Sequence, residues 1–192
     1  GKKYVWKTDQ TGATGRMTPS ELSQFLDTLR DIFGNSSKTL EIVDVFEKAY
    51  TSYENLSDAT RYFTNALFGN RGLVIIDSDS KHLKASFSEY LISDIFENQP
   101  YSLVQSTNSK LLKADYGTQV NPREINCFYL DNGIRNRIVF SDDEYRVLNT
   151  DIRFAATELK NESHSNPEKC SPNGVLRPLF QEFVLPNLTY VG

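Results

Sequence analysis

Apolar residues return every third or fourth position through the first third of the chain. They run Leu22, Phe25, Leu26, Leu29, Ile32, Phe33, then Ile42, Val45, Phe46, Ala49, Tyr50, Tyr53, then Ala59, Tyr62, Phe63, Ala66, Leu67. This spacing predicts three amphipathic helices, each with one buried stripe and one wetted face. Thr18-Pro19-Ser20-Glu21 marks the start of the first, with Thr18 as cap, Pro19 at the first helical position and Glu21 closing a capping box; Gly34 ends it. Asn55-Leu56-Ser57 separates the second from the third.

The texture then changes. Gly72-Leu73-Val74-Ile75-Ile76-Asp77 is an unbroken apolar run closed by a carboxylate, the pattern of a strand covered on both faces in a parallel sheet. Ser78, Asp79 and Ser80 can cap a helix reaching about Glu97, with Leu83, Phe87, Tyr90, Leu91 and Ile95 inward and Pro100 beyond its end. Residues 101–113 read as a weakly patterned helix interrupted at Gly117. From Ile125 the chain reads as a small antiparallel meander, 125–130, 134–140 and 145–148, with turns at Asp131-Asn132-Gly133 and Ser141-Asp142-Asp143. Ile152, Ala155, Ala156 and Leu159 predict a short helix, and the polar run 161–169 a loop. In the last stretch Val175, Leu176, Leu179, Phe180 and Phe183 keep helical spacing, so Pro178 either kinks that helix or marks its start.

Composition narrows the classes. Within 192 residues, 39% are apolar, enough for a folded core. Basic residues number 21 against 25 acidic, a formal net charge of -4, and the basic ones are scattered, so neither nucleic acid nor an anionic membrane is an expected partner. Cys127 and Cys170 stand 43 positions apart and the chain holds two His, which gives neither zinc spacing nor a disulfide framework, and no metal is expected; a reducing cytoplasmic setting fits. No stretch approaches a membrane span or a signal core. The sequence at both ends, Val5-Trp6 and Leu188 to Gly192, reads as strand material continuing outward, as in the middle of a longer enzyme.

Several polar groupings could carry chemistry, each with a plainer structural reading beside it. Gly12 and Gly15 with Thr11 and Thr14 could cradle phosphate, but without a Walker lysine they read as a surface loop. Asp77 and Asp79 lie at the carboxyl end of the expected parallel strand, where open α/β sheets bind cofactors, though as helix caps they need no ligand. His82 and His164 have no partner at motif spacing, and Cys127 sits in an apolar strand as a packed thiol. Pro122-Arg123-Glu124-Ile125-Asn126 sets an arginine, a carboxylate and an amide beside a strand start, as an internal pair or an anion clamp. Ser171-Pro172-Asn173 with Arg177, Gln181 and Glu182 is the densest polar set on an apolar background. Burying such groups costs free energy unless each is paired or meets a ligand.

Three blocks together carry a family resemblance: Leu67-Phe68-Gly69-Asn70-Arg71-Gly72 into Leu73 to Asp77, Pro122-Arg123-Glu124-Ile125-Asn126-Cys127-Phe128-Tyr129-Leu130, and Ser171-Pro172-Asn173 through Arg177-Pro178 to Leu185-Pro186-Asn187-Leu188-Thr189 and Gly192. In order and rough spacing the chain resembles the bacillithiol biosynthesis cysteine-adding enzymes, the cysteine ligase family. It departs at Cys127, where an aliphatic residue is expected, and at Gly174, which loosens the backbone beside the polar set. The resemblance implies a Rossmann-like core with connecting-peptide insertions and a coiled coil that mediates homodimerisation of the parent enzyme. It also implies the joining of L-cysteine to glucosaminyl malate as the last step of bacillithiol synthesis.

The expected fold is therefore α/β: a Rossmann-like core segment with parallel strands flanked by helices, plus helical and small β insertions. It divides into a core strand end and loop at 1–17, a helical insertion with a core α-β-α unit at 18–120, the meander at 121–150 and a return to the core at 151–192. Amide formation needs an activated carboxyl, so ATP or another nucleotide triphosphate is expected, with Asp77 and Asp79 on the cofactor side. Arg123, Asn126, Asn173, Arg177, Gln181 and Glu182 are the expected substrate-binding set; the two arginines hold anions. This segment alone is expected to be inactive. Two rival readings are a non-catalytic helical interaction domain that docks a partner through the aromatic helices, and a nucleotidyltransferase-like enzyme acting on another substrate.

Overall fold

The three apolar stripes of the first third become α1 (Phe25–Phe33), α2 (Ser37–Ser52) and α3 (Leu56–Phe68) in a computed structural model. The structure describes Lys3, Val5, residues 7–19, Glu21, Leu22 and residues 25–189. Ser36 and Asn55 cap α2 and α3, their side chains accepting from the backbone N–H groups of Thr39 and Asp58. The helix expected from Thr18 is described as α-helix over Phe25–Phe33. Glu21 and Leu22 form only a 3-10 turn, and Thr18 is tied backward: its N–H donates to Gln10 Oε1 at 2.7 Å and its carbonyl accepts from Gln10 Nε2 at 3.0 Å. Ser20 lies outside the described residues.

These helices belong to the first of two units, Gly1–Asp77. Among its described residues Pro19, Leu26, Val43, Ala49 and Ala59 are buried, and Phe46 and Phe63 meet edge to face with ring centroids 5.6 Å apart. Arg30 crosses from α1 to Glu47 of α2 at 2.8 Å. Replacing the α3 cap, Asn55→Ala, removes the 2.8 Å bond to the Asp58 N–H and is expected to cost about 1 kcal/mol, read as a lowered thermal midpoint of the first unit.

The expected parallel strand over residues 72–77 is not a strand. The segment has no regular secondary structure, pairs with no strand among the described residues, and leaves Val74 71% exposed beside exposed Leu73 and Ile76. An unbroken apolar run records a tendency to avoid water; pairing is set by neighbouring strands, and the described residues supply none here.

The second unit, Ser78–Gly192, holds the sheet. Its strands are β1 (Cys127–Asp131), β2 (Ile134–Ser141), β3 (Glu144–Val147), β4 (Arg153–Phe154) and β5 (Cys170–Pro172), in the order β4-β3-β2-β1-β5. Every pairing among them is antiparallel. The α/β class is as expected, whereas the parallel strands are corrected. Short turns join β1 to β2 and β2 to β3, and a two-residue hairpin can return a chain only antiparallel; β5 reaches β1 after α7 and also runs antiparallel to it. Gly133 (φ 67°) closes the first turn, and Asp142 (φ 53°) and Asp143 (φ 61°) take the two left-handed positions of the second.

Five helices accompany this sheet, α4 (Lys81–Ser86), α5 (Ser88–Glu97), α6 (Gln99–Lys113), α7 (Ala156–Ser165) and α8 (Arg177–Val184), of which α5 packs on β1 and α7 on β3 and β4. The single helix expected from 80 to 97 breaks at Phe87. Ser86 and Ser88 hydroxyls donate to the carbonyls of Leu83 and Ala85, competing with the backbone ladder, while the Phe87 ring is fully buried. Asn98, in the left-handed region at φ 51°, turns the chain from α5 into α6. The loop expected over residues 161–169 is corrected in turn: α7 runs to Ser165, followed by a 3-10 turn, Pro167–Lys169. Pro178 sits in the first turn of α8 and so marks its start. Phe87, Leu91, Ile95, Ile138, Leu159, Leu176 and Phe180 form the centre of the core. No described helix is long and apolar enough to cross a membrane.

Candidate functional site

Asp94 and Asn126 meet in the interior of the second unit, at 0% and 1% exposure. The carboxylate accepts from the Asn126 backbone N–H at 2.6 Å and from Asn126 Nδ2 at 3.0 Å. Asn126 in turn donates from Nδ2 to the Arg123 carbonyl at 2.7 Å, and its Oδ1 accepts from the Arg123 N–H at 3.0 Å and from Asn173 Nδ2 at 3.1 Å. The Asn173 N–H donates to the Asn126 carbonyl at 2.9 Å, while Asn173 Oδ1 caps the chain entering α8, accepting from Val175 N at 2.8 Å and Leu176 N at 3.3 Å. Asn98 Nδ2 donates to the Asp94 and Glu124 carbonyls. One network therefore fastens α5, the approach to β1 and the exit of β5. Burial pushes the Asp94 carboxyl up from 3.8 to about 6, against the downward pull of the Asn126 side-chain and backbone bonds.

Of the residues singled out in the sequence, this network brings together Asn126, Asn173 and the backbones of Arg123 and Arg177, whose N–H donates to the Asn173 carbonyl at 2.9 Å. The two amides turn inward and act as positioning residues. The arginine side chains point elsewhere: Arg123 and Arg177 are exposed. Residue 177 falls on the outer side of α8, whose inward residues are Leu176 and Phe180. Gln181 and Glu182 are also exposed, and Glu182 Oε2 accepts from Asn187 N and Nδ2, each at 3.0 Å.

Asp77, in the first unit, lines a cavity of about 340 Å³ with Thr14, Gly15, Ser57 and Thr60. Asp79, in the second, is ion-paired to Lys84, an ammonium at 2% exposure that also donates to the Glu168 carbonyl at 3.0 Å. Cys127 and Cys170 are both buried thiols on adjacent strands; a hydrogen bond to Cys170 and burial raise the Cys127 thiol, the setting of a packed cysteine and not a nucleophile. His82 and His164 are exposed.

Two features were missed in the sequence. Asp94 falls at the seventh position after Phe87 on the stripe that continues through Leu91 and Ile95, and a carboxylate on an apolar stripe is itself a signal of a buried, paired charge. The other is a groove of about 610 Å³ beside the Pro122–Asn126 block, which Arg123 shares with Arg137 of β2. Strand alternation alone could not show that Arg137 faces it.

The second unit thus couples a sheet to helices through a buried polar network, and the chain is of the α/β class to which Rossmann-like domains are assigned. The family described as "Bacillithiol biosynthesis BshC, N-terminal Rossmann-like domain" matches residues 1–192. The chain belongs to this bacillithiol biosynthesis BshC family. It is similar to proteins named "Putative cysteine ligase BshC": 43% identical over 192 residues to that of Flavobacterium johnsoniae, covering 100% of this chain and 36% of the relative. The corresponding protein of Cytophaga hutchinsonii is 40% identical over 192 residues, 100% of this chain and 35% of its own length. That of Salinibacter ruber is 31% identical over 189 residues, 96% and 34%. The chain thus spans about a third of the length of these curated relatives.

Proposed function

We propose that the whole protein is a ligase that forms an amide between the carboxyl group of L-cysteine and the amine of glucosaminyl malate, completing bacillithiol synthesis in the cytoplasm. The end-to-end family match, with relatives named as cysteine ligases at up to 43% identity, carries this reading. ATP or another nucleotide triphosphate would activate the cysteine carboxyl: a carboxylate oxygen bonds to a phosphorus of the triphosphate as a P–O bond breaks and the remaining phosphate portion leaves; the sugar amine then attacks the carboxyl carbon, loses a proton, and the C–O bond to the phosphate-type leaving group breaks. In this reading the segment alone is inactive, and the parent is a homodimer joined by a coiled coil.

Arg123 and Arg177 are the anion holders of the proposal, because a planar guanidinium matches carboxylate and phosphate geometry. Gln181 and Glu182, one turn beyond Arg177 on α8, orient substrate. Asn126 and Asn173 hold the backbone that presents both arginines. The test is an assay of the full-length protein with cysteine, glucosaminyl malate and nucleotide. Cysteine-dependent consumption of the amino sugar is expected, and a folded protein that leaves it unconsumed defeats the proposal. Arg177→Ala is expected to lower kcat/KM by at least about tenfold, as loss of a charge-assisted contact should. Unchanged turnover and affinity would remove Arg177 from the site.

A further inference from the structure

The groove of about 610 Å³ in the second unit has three walls: Tyr101 and Gln105 of α6, the extended Asn121 to Ile125 segment with Arg123, and β2 from Arg137 to Phe140. Its size lies within the range of small-molecule sites, roughly 300–1,000 Å³. Two guanidiniums face one carboxylate, Glu124, in its lining, on a chain whose formal net charge is -4.

The other arginines of this sheet are engaged. Arg146 pairs with Glu144 at 2.7 Å and Asp142 at 2.9 Å, Arg153 lies 3.8 Å from Glu144, and Arg135 stacks on Phe128 at 4.1 Å from the ring centre. The guanidinium groups of Arg123 and Arg137 have no hydrogen-bond or ion-pair partner among the described residues. Arg123 is nonetheless fixed in place, because its backbone N–H and carbonyl are both bonded to the buried Asn126 side chain. Arg137 is fixed by its register opposite Phe128 in the β1–β2 ladder. Two cations on anchored backbone, neither in an ion pair and in excess over the single carboxylate of the lining, share one concave surface and make an anion-binding arrangement of the kind guanidiniums form with carboxylate and phosphate groups.

We infer that this groove binds a compact ligand bearing two negative charges, carboxylate or phosphate, between Arg123 and Arg137, with Gln105 and Asn121 available as polar contacts. The inference deepens the ligase reading and rests on it for the role of Arg123. It is tested by binding without turnover, so a protein that takes the anion yet makes no amide would leave the groove standing while the ligase reading fell.

The experiment is calorimetric titration of the folded protein with succinate, pyrophosphate and, as a single-charge control, acetate. Saturable binding of succinate or pyrophosphate is expected, at least about tenfold tighter than acetate and weakened by added salt. Preference between the two dianions identifies the source of the charge. Arg123→Ala and Arg137→Ala are each expected to weaken binding by at least about tenfold, with Arg123→Lys recovering part of the loss and Lys110→Ala, outside the groove, changing nothing. Circular dichroism verifies that each variant is folded. No saturable binding of either dianion by the folded protein, or binding untouched by both alanine variants, would overturn the inference.

Discussion

Asn126→Ala is expected to destabilise the second unit by about 3–5 kcal/mol, because the side chain is buried and each of its polar atoms is committed. Truncation leaves four groups unsatisfied at once: Asp94 Oδ1, the Arg123 N–H, the Arg123 carbonyl and Asn173 Nδ2. No shift of the amide within the site relieves this. Asn126 Nδ2 serves two acceptors and Oδ1 two donors, so a flipped amide would present the wrong atom to all four. Asn126→Gln is not expected to rescue, since the added methylene has no room at a site with 1% exposure. The measurement is a urea unfolding midpoint followed by circular dichroism. A loss below about 1 kcal/mol would mean that the network does not hold the approach to β1. A double-mutant cycle with Asp94→Ala should return a coupling of about 1–3 kcal/mol.

That prediction also marks where sequence reading stopped. Helices α2 and α3 and the β1–β2–β3 meander were legible because their signals are local: apolar spacing, an asparagine or serine cap, and turn residues that tolerate left-handed backbone. Strand β5 is three residues, Cys170–Pro172, too short for alternation to register, and it becomes a strand only by pairing with β1 across some forty residues of chain. Residues 161–165 belong to α7, yet α7 buries only Leu159 and Ser163, so its composition reads as loop. Asn126 and Asn173 were picked out by residue type and setting as ligand contacts, and both direct their polar atoms at the protein's own chain. Residue type cannot tell a polar group that binds a ligand from one that fastens a fold; the difference is whether its bonding capacity is already used. By that criterion Arg123 and Arg137 are open, and the amides beside them are closed.

Asp94→Asn is expected to change the pH dependence of stability more than any other single substitution in this network. Burial raises the Asp94 carboxyl from 3.8 to about 6, so between those values the folded protein keeps a proton that the unfolded chain has released. Stability from this group is therefore fully present below about pH 4 and is lost as pH rises toward 6. The loss is on the order of 3 kcal/mol for a shift of about two units. Asparagine cannot ionise and is close in shape to the protonated acid, so the variant does not lose this contribution. The difference in unfolding free energy, variant minus native, should then rise by about 3 kcal/mol in favour of the variant between pH 4 and pH 7. Groups such as Glu162, whose carboxylate is held below its usual range by Lys169, Asn166 and Tyr129 despite the opposing effect of burial, titrate in both proteins and cancel in that difference. A flat difference would show that the Asn126 donors offset burial completely. An opposite slope would show that they outweigh it and hold Asp94 as a carboxylate far into acid.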